Sequence, residues 1–598
     1  MWRSWSSRPT RNSAWPARHG SSCDAHEEYR SDRRSPTGSR APRRRGMIAM
    51  QDRFLVEEQF ANDFSGLDPL TIGEVVKLLA QPGVILDAPK LAGEWSKVLL
   101  GLSEVEVPER DPQYGDVAWR ENAVFRRLAQ AHLAWAQWLD GVGDEAGGTW
   151  ESKERERYVK NIVTSTLSPA NIAATNPAAI RKAIDTGGKS LLRGGRTFLT
   201  DVLKNGGLPR MTDTAPYEVG ENVGVSAGTV VYREDMFEII HYTPSTELVH
   251  ERPLLFVPPQ LGRFYILDLA PERSLVEHAV SSGMQSFMLV WRNPRKDPQT
   301  GDGTWGIDDY VAAVVRAFDV VTAIAGTDDL NVLGFCAGGF TSALAQAHLT
   351  AKGRNPVHAA TYLVTMIDTR RPNLVTPLST PGTTRQIEKL AKKNAVIDAQ
   401  RISSHFAWLR PQDLIFGHVI NNWLMGEAPR AYDLLAWNDD QVNLTARFIR
   451  DATRLMGDGS LVEPGAVTIL DTEIDLTALT ADKFVVAAQT DHITTWRPCY
   501  MTARLLGGET EVAVTNKGHV QTVVSQIAKS RQKFWLAPAD TDDPDEWMAG
   551  AQEIAGSWWP VWSEWLSKRA GDEIASPEAL GSRRYPPRDP APGRYVRE

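Results

Sequence analysis

From about residue 51 to residue 225, apolar residues recur every three or four positions along the chain. Within the stretch 124–139 they are Val124, Leu128, Ala131, Trp135, Trp138 and Leu139. This spacing places a stripe along one side of a helix, which predicts an amphipathic helix packed against a core. We therefore expect helices from about residue 51 to 225, in an N-terminal domain over 47–225.

From about residue 226 the pattern changes to short apolar runs separated by helical stretches. The predicted strands lie at 228–232, 237–242, 254–257, 287–291, 332–335 and 360–366. The intervening stretch 310–324 has helical spacing. Strands that alternate with helices are typical of a mostly parallel sheet flanked by helices. The fold class predicted for this part of the chain is therefore α/β.

A glycine-rich turn carries most of the chemical information in the sequence. An apolar run over 329–334 leads into Gly-Phe-Cys-Ala-Gly at 334–338, and a helical stretch follows. Strand, tight turn and helix form the nucleophile elbow of the α/β-hydrolase fold, here with cysteine where serine is usual. Gly338 and Gly339 lack the Cβ atoms that would obstruct helix packing and substrate approach. We predict that Cys336 is a nucleophile, and a thiol favours acyl transfer over hydrolysis.

An elbow nucleophile needs a base and an acid that orients the base, and in this fold the acid precedes the histidine along the chain. The apolar run 483–490 ends in Asp491, and a second apolar run over 511–516 is followed by His519. The carboxyl ends of parallel strands are where such sheets build their sites. The predicted catalytic residues are therefore Cys336, Asp491 and His519. His519 takes the thiol proton, and Asp491 holds the imidazole in one tautomer.

The other cysteines lack this context. Cys499 follows Arg-Pro without a glycine turn, so we expect a packed thiol there, and Cys23 has no evident partner. Three cysteines in 598 residues argue against a disulfide framework and are typical of a reducing cytosol. His492, next to Asp491, either assists the site or packs at the end of its strand.

Composition and charge narrow the class of protein. Hydrophobic residues make up 42% and charged residues 23% of the chain, which is the balance of a globular protein with a large core. The formal net charge of −8 disfavours a nucleic-acid partner. No run of about 18 apolar residues occurs, so we expect no transmembrane segment.

Residues 1–46 differ from the rest in composition. They contain eleven Arg and four acidic residues, with frequent Ser, and lack the apolar stretch of a secretory signal. We expect a disordered tail, or a start placed too early with the true one at Met47 or Met50. A basic arm for an anionic surface is the alternative.

Four Trp residues lie within nine positions near the carboxyl end, at 558, 559, 562 and 565. We expect them to fold back onto the core, because large aromatic side chains gain most from burial. Contact with a hydrophobic polymer or a second subunit is the alternative.

The chain resembles the class I poly(3-hydroxyalkanoate) synthases, which build storage polyester from (R)-3-hydroxyacyl-CoA. The resemblance covers about residues 100–535. Besides the three blocks around the predicted catalytic residues, the shared motifs are Leu-Ser-Pro-Ala-Asn at 167–171, Ala-Thr-Asn-Pro at 174–177, Phe-Tyr-Ile-Leu-Asp-Leu at 264–269, Val-Trp-Arg-Asn-Pro at 290–294, Trp-Leu-Arg-Pro-Gln-Asp-Leu at 408–414 and Trp-Asn at 437–438. The resemblance implies an α/β-hydrolase fold, a cysteine nucleophile at Cys336 completed by Asp491 and His519, and neither metal nor other cofactor.

One loop departs from the family pattern. The family usually has Pro-Pro-Trp-Ile-Asn-Lys before its Tyr-Tyr-Ile-Leu-Asp-Leu block, whereas this chain has Gln260 and Gly262 in place of Trp and Asn. The loop should supply the second donor of the oxyanion hole, and such a donor is normally a backbone N–H. We therefore assign the oxyanion hole to the amides of Leu261 and Ala337. The preferred acyl group depends on what the two substitutions do to the pocket.

A long insertion separates the predicted nucleophile from the acid. Asp491 follows Cys336 by 155 residues, far more than one strand–helix–strand unit requires. We expect an inserted cap over about 370–470, within a catalytic domain over 226–598. A cap would keep water away while an acyl chain remains on sulfur.

The resemblance implies that the protein polymerises (R)-3-hydroxyacyl-CoA with release of CoA, through an acyl-cysteine intermediate and with a preference for short units such as 3-hydroxybutyryl-CoA. The expected partners are a second copy of the chain, the polyester granule and granule-associated phasin-type proteins. The expected location is the cytoplasm, at the granule surface. Two alternatives stay open: a thioesterase or lipase-like hydrolase on the same fold, and a catalytically silent granule-binding protein.

Overall fold

The computed structural model of the protein describes residues 82–142, 149–373, 381–457, 459–527 and 531–598. The segment 1–46 with Cys23, and the alternative starts Met47 and Met50, lie outside the described residues. The α-helices are α1 (Pro82–Leu100), α2 (Ala118–Glu121), α3 (Ala123–Gly141), α4 (Trp150–Thr166), α5 (Pro177–Asp185), α6 (Lys189–Lys204), α7 (Leu275–Ser281), α8 (Ile307–Ala325), α9 (Ala337–Ala351), α10 (Pro381–Lys392), α11 (Ala399–Ala407), α12 (Asp433–Asp439), α13 (Ala446–Gly457), α14 (Trp496–Leu505), α15 (His519–Val523), α16 (Pro544–Gly550) and α17 (Trp559–Ser567).

The strands all come after α6 along the chain, and helices α7–α17 lie among them. They are β1 (Gly228–Arg233), β2 (Phe237–Tyr242), β3 (Leu248–His250), β4 (Leu254–Val257), β5 (Ser286–Trp291), β6 (Leu330–Phe335), β7 (Val357–Leu363), β8 (Val396–Ile397), β9 (Leu444–Thr445), β10 (Thr468–Ile469), β11 (Thr472–Glu473), β12 (Asp482–Ala488), β13 (Thr510–Thr515), β14 (Lys533–Pro538), β15 (Gln552–Ala555) and β16 (Glu573–Ala575). The main sheet has the order β1-β2-β5-β4-β6-β7-β12-β13-β14-β15. The strands from β5 to β13 in this order are parallel, and the outer two at each edge pair antiparallel. This is an α/β-hydrolase fold, so the predicted fold class is confirmed.

Both faces of the central strands are buried, which explains their nearly continuous apolar runs. In β12, Val485 and Ala487 belong to the core on the side of α8, α9 and α14, while Phe484 and Val486 belong to the core on the side of α7 and α17. The alternation follows from the two-residue period of a strand.

Strand limits agree closely with the pattern of the sequence, with one clear exception. Strands β2 and β4 have the predicted limits, whereas β7 begins and ends three residues before the predicted 360–366. Val364, next after β7, has a φ of 41°. A β-branched residue adopts such an angle only under strain, and it ends the strand.

The helical part that precedes β1 buries the predicted stripe only in part: of its members Leu139 is buried, and Leu128, Ala131, Trp135 and Trp138 are half-buried. In α3 the buried residues are Ala129, Gln130, Ala134 and Leu139, whereas Val124 is 64% exposed. The helical character of this part is confirmed. The division into domains at 225/226 stays a prediction.

The segment between β7 and β12 contains α10–α13, two π-helical stretches (Gln412–Phe416 and Val419–Leu424) and short strand pairs. It includes the predicted insertion over 370–470, apart from 374–380 and 458, which lie outside the described residues. Helix α6 packs closely on this segment, because a Cβ atom on Gly194 would meet the Trp423 carbonyl oxygen at 1.9 Å. The role of the insertion as a cap stays a prediction.

The four Trp residues near the carboxyl end are folded back onto the core, as expected. Trp558, Trp559 and Trp562 are at most 1% exposed and Trp565 is 7% exposed. Within the described ranges, none of the helices combines the length and hydrophobicity needed to cross a membrane.

Candidate active site

The turn between β6 and α9 holds Cys336 in a strained backbone conformation. Its φ is 51° and its ψ −119°, a region that residues other than glycine seldom adopt. The Cys336 amide donates a hydrogen bond of 2.9 Å to the Leu363 carbonyl at the end of β7. The neighbouring strand therefore fixes the turn, and the half-buried side chain stands at the carboxyl edge of the sheet.

The glycines after Cys336 allow very close packing of the first turn of α9. A Cβ atom on Gly338 would lie 2.2 Å from the Val257 carbonyl oxygen at the end of β4. A Cβ atom on Gly339 would lie 2.1 Å from Thr365 Oγ1. Both distances are far below van der Waals contact, so the elbow requires glycine at both positions.

Asp491 lies just after β12 and has both carboxylate oxygens engaged. Its Oδ1 accepts the amides of Ile493 at 2.7 Å and Thr494 at 2.9 Å. Its Oδ2 accepts His519 Nδ1–H at 2.7 Å and the Thr494 hydroxyl at 2.9 Å. Burial alone would raise the pKa of Asp491, but the adjacent His519 charge and these hydrogen bonds lower it overall. The carboxylate is therefore ionised, and its four donors hold it in place.

His519 is the first residue of α15. The centroid of its ring lies 5.6 Å from the centroid of the ring of Phe335, the residue before Cys336. Burial opposes a charge on this imidazole, but the negative charge of Asp491, the adjacent Cys336 and the hydrogen bonds to both outweigh burial and raise the pKa of His519 to about 10. Trp558 Nε1 donates to the Thr522 carbonyl at 3.0 Å and so anchors α15. The structure thus brings Cys336, Asp491 and His519 together, and their catalytic roles stay predictions.

The loop after β4 carries the predicted oxyanion donor and lies against α9. Gln260 Nε2 donates to Thr341 Oγ1 of α9 at 3.0 Å, and the Gln260 side chain is buried. Within the described residues, neither the amide of Leu261 nor that of Ala337 donates to an acceptor of the chain. Two such amides suit an oxyanion hole, and this assignment stays a prediction.

A tryptophan of the insertion packs closely against Gly262 in this loop. Gly262 has a φ of 96°, and a Cβ atom there would lie 2.9 Å from Trp437 Cζ2. Trp437 Nε1 donates to the Arg263 carbonyl at 2.7 Å. Helix α12 therefore holds the loop that carries Leu261. The Trp-Asn block at 437–438 is visible in the sequence, but its contact with the loop is not.

Two further side chains lie next to the site, the fully buried Cys499 and the half-buried His492, and the role of His492 stays a prediction. Cys499 is fully buried, burial raises the pKa of its thiol well above the usual value, and its Sγ faces the Thr494 carbonyl at 3.5 Å. Burial lowers the pKa of His492 to about 4, and in the described part of the chain its Nδ1 has no hydrogen-bond partner. Cys499 is thus a packed thiol, as expected.

Thr494 is the site residue for which the sequence carried no signal. It lies three positions after Asp491, and its hydroxyl lies 2.9 Å from Asp491 Oδ2 and 3.1 Å from His519 Nδ1. A threonine at a strand end is common in any sheet, so only the folded geometry distinguishes this one.

The chain is similar in sequence to several known proteins. Residues 110–279 match the family model described as "Poly-beta-hydroxybutyrate polymerase (PhaC) N-terminus". The chain is 38% identical over 505 residues to poly(3-hydroxyalkanoate) polymerase 1 of Ectopseudomonas oleovorans, covering 84% of this chain and 89% of that protein. It is 36% identical over 513 residues to the poly(3-hydroxyalkanoate) polymerase subunit PhaC of Cupriavidus necator, covering 84% and 86%. Among solved structures, a soluble variant of the Saccharomyces cerevisiae monoglyceride lipase aligns with this chain at 13% sequence identity. The alignment covers 59% of this chain and 98% of the lipase. Its TM-score is 0.34, and no conclusion follows from so low a score.

Proposed function

The chain belongs to the poly(3-hydroxyalkanoate) polymerase family, whose members transfer acyl groups, and on this premise we propose that it polymerises (R)-3-hydroxyacyl-CoA through an acyl-cysteine intermediate with release of CoA. One observation carries the proposal. A half-buried thiol at a strained elbow faces a buried histidine whose other side is held by a carboxylate. This arrangement supplies a nucleophile, a base and an orienting acid for acyl transfer.

In the first step Cys336 Sγ attacks the thioester carbonyl of the substrate. His519 takes the thiol proton on Nε2, because Nδ1 donates to Asp491. The oxyanion of the tetrahedral intermediate is held by the amides of Leu261 and Ala337. When the C–S bond to CoA breaks, the CoA sulfur takes the proton from His519. One thioester replaces another, so the step is nearly balanced in energy.

In the second step the 3-hydroxyl of the next hydroxyacyl-CoA attacks the acyl group on Cys336. Its proton passes through His519 to the Cys336 sulfur as the bond between sulfur and acyl group breaks and an ester forms. Asp491 already accepts four hydrogen bonds and is 5% exposed, which supports His519 rather than Asp491 as the base for this hydroxyl. The extended chain, now on CoA, returns to Cys336 by the first step.

Short acyl units are the proposed substrates, with 3-hydroxybutyryl-CoA preferred to 3-hydroxyoctanoyl-CoA. The support is the resemblance described above. The measurement is kcat/KM for the four-carbon and eight-carbon thioesters under identical conditions. A higher value for the eight-carbon unit would overturn the preference but leave the polymerase proposal intact.

The proposed partners are a second copy of the chain, the growing polyester granule in the cytoplasm and phasin-type proteins. Exposed apolar side chains on α6 support an interaction surface: Leu192, Leu199 and Leu203 are 77%, 60% and 81% exposed. Their spacing of seven and four residues places them along one side of the helix.

The decisive experiment incubates the purified full-length protein with (R)-3-hydroxybutyryl-CoA and follows both CoA and acyl products. We expect CoA release in step with insoluble polyester. Free 3-hydroxybutyrate in the same amount as CoA would instead identify a thioesterase. No CoA release at all would identify a catalytically silent protein.

A further inference from the structure

Three polar atoms, one each from Thr494, Asp491 and His519, lie within hydrogen-bonding distance of one another. Thr494 Oγ1 lies 2.9 Å from Asp491 Oδ2 and 3.1 Å from His519 Nδ1, and Oδ2 and Nδ1 are 2.7 Å apart. All three residues are buried, with Thr494 5% exposed. In a buried site each of these contacts is stronger than it would be in water.

The hydroxyl of Thr494 has one proton and two candidate acceptors. It lies 3.0 Å from the carbonyl oxygen of the strained residue Val364 and 2.9 Å from Asp491 Oδ2. A carboxylate is the stronger acceptor because the hydrogen bond is charge-assisted. With the proton toward Asp491, a lone pair of Oγ1 is left for the Nδ1–H of His519.

Nδ1 of His519 therefore faces two acceptors, Asp491 Oδ2 and Thr494 Oγ1. Both favour a proton on Nδ1, which leaves Nε2 as the nitrogen that exchanges a proton with the thiol. A ring turned over by 180° would place carbon against this pair and lose both contacts. Two acceptors thus define ring orientation and tautomer more strongly than Asp491 alone.

We propose that Thr494 is a positioning residue for His519, whose hydroxyl holds the imidazole with Nε2 toward Cys336. The inference rests on the proposed function, since it concerns acylation of Cys336. In the described part of the chain Cys336, His492 and Cys499 are titratable groups that act on the pair, and none of them bonds the Thr494 hydroxyl.

Thr494→Val is the informative substitution, because valine keeps the shape and the backbone amide that donates to Asp491 Oδ1 and removes only the hydroxyl. We expect the rate of the first CoA release to fall about ten- to a hundredfold, the effect of losing one hydrogen bond to a charged group. KM should change little, and Thr494→Ser should restore most of the rate. Thr495→Val is the matched control, since the Thr495 hydroxyl donates to the Pro372 carbonyl at 3.1 Å and makes no hydrogen bond to the pair.

A second measurement reports the imidazole directly, without turnover. The proton on His519 Nδ1 should give a low-field NMR resonance in the wild-type protein and in Thr494→Ser, and this resonance should move upfield or broaden in Thr494→Val. A structural role of the methyl group alone would not produce this difference, because valine retains a methyl group and serine does not.

The proposal would be overturned if Thr494→Val released CoA as fast as the wild-type protein and kept its resonance unchanged. It would also be overturned if Thr494→Ser were as slow as Thr494→Val. If Thr494→Val does not fold, the pair Thr494→Ala and Thr494→Ser decides in the same way. A wild-type protein that releases no CoA would instead overturn the proposed function, and the resonance would still decide the role of Thr494.

Discussion

The three predicted catalytic side chains differ in how deeply they are buried. Asp491 and His519 are 5% and 7% exposed, whereas the Cys336 thiol is half-buried. The proposed thioester substrate would therefore reach the sulfur more readily than the carboxylate. Burial also strengthens the attraction between the ionised Asp491 and the imidazolium, which is why the pKa of His519 rises to about 10 although burial opposes its charge.

Replacing Cys336 by alanine should abolish CoA release from 3-hydroxybutyryl-CoA, because the elbow presents no other group that can carry the acyl chain. Cys499→Ala is the matched control and should keep most of the activity, since that thiol is fully buried and its pKa is raised well above the usual value. A discontinuous assay of free thiol measures both variants. Retained activity in Cys336→Ala, or equal loss in both, would show that the nucleophile is wrongly assigned.

His519→Gln should stop acylation, because glutamine cannot take the proton of the Cys336 thiol. Asp491→Asn should slow turnover by about 10²–10⁴-fold, since an amide cannot accept all four donors that now hold the carboxylate. We expect this variant still to load Cys336 with an acyl group. Single-turnover mass spectrometry of the acylated protein distinguishes loading from turnover. Normal polymer formation by His519→Gln would exclude the triad.

Close packing between elements fixes the geometry of the elbow. The first turn of α9 lies against the ends of β4 and β7, and α12 holds the loop after β4 through Trp437. The contacts are with the backbone of β4, with the short side chain of Thr365 and with the Trp437 ring, so they leave little room for adjustment. The loop that carries Leu261 and the elbow that carries Cys336 are therefore positioned by three elements at once.

Gly338→Ala should lower both stability and kcat, because the added Cβ would lie 2.2 Å from the Val257 carbonyl oxygen and 2.5 Å from the Pro258 carbonyl oxygen. Backbone cannot move aside cheaply, so we expect a loss of about 1–3 kcal/mol in the free energy of unfolding. Gly195→Ala in α6 is the control, since a Cβ there meets nothing within 4 Å. It should be neutral or stabilise by up to about 1 kcal/mol. Urea titration measures both, and equal stability of the two variants would refute the packing argument.

For the molecule as a whole, folding is linked to protonation at the site. Folding raises the pKa of His519 from about 6.5 in the unfolded chain, so the folded state binds its proton more tightly. This contribution to stability is fully present below about pH 6.5 and is lost as the pH rises toward 10. Asp491 acts in the opposite sense, because folding lowers its pKa and its contribution disappears in acid.

The free energy of unfolding should therefore decline between about pH 6.5 and pH 10 more steeply in the wild-type protein than in His519→Gln. Urea midpoints at pH 6, 7.5 and 9 measure the two slopes. His278→Gln is a suitable control, because the pKa of that histidine is lowered, chiefly by burial, rather than raised. Parallel curves for wild type and His519→Gln would show that the pair does not retain its charge on folding.

Local patterns in the sequence determined the limits of β2 and β4, the elbow around Cys336 and the positions of Asp491 and His519 at strand ends. Each of these depends on periodicity or turn geometry within a few residues, and the α/β class follows from their succession. The sequence alone did not indicate the hydrogen bonds of Thr494 to Asp491 and His519, the packing of Trp437 against Gly262, or the early end of β7 before Val364. These depend on contacts between residues far apart in sequence, such as the hydrogen bond from Trp437 to the Arg263 carbonyl across 174 positions. Only the folded sheet brings such groups within hydrogen-bonding distance, because that distance depends on how helices and strands pack rather than on any local pattern.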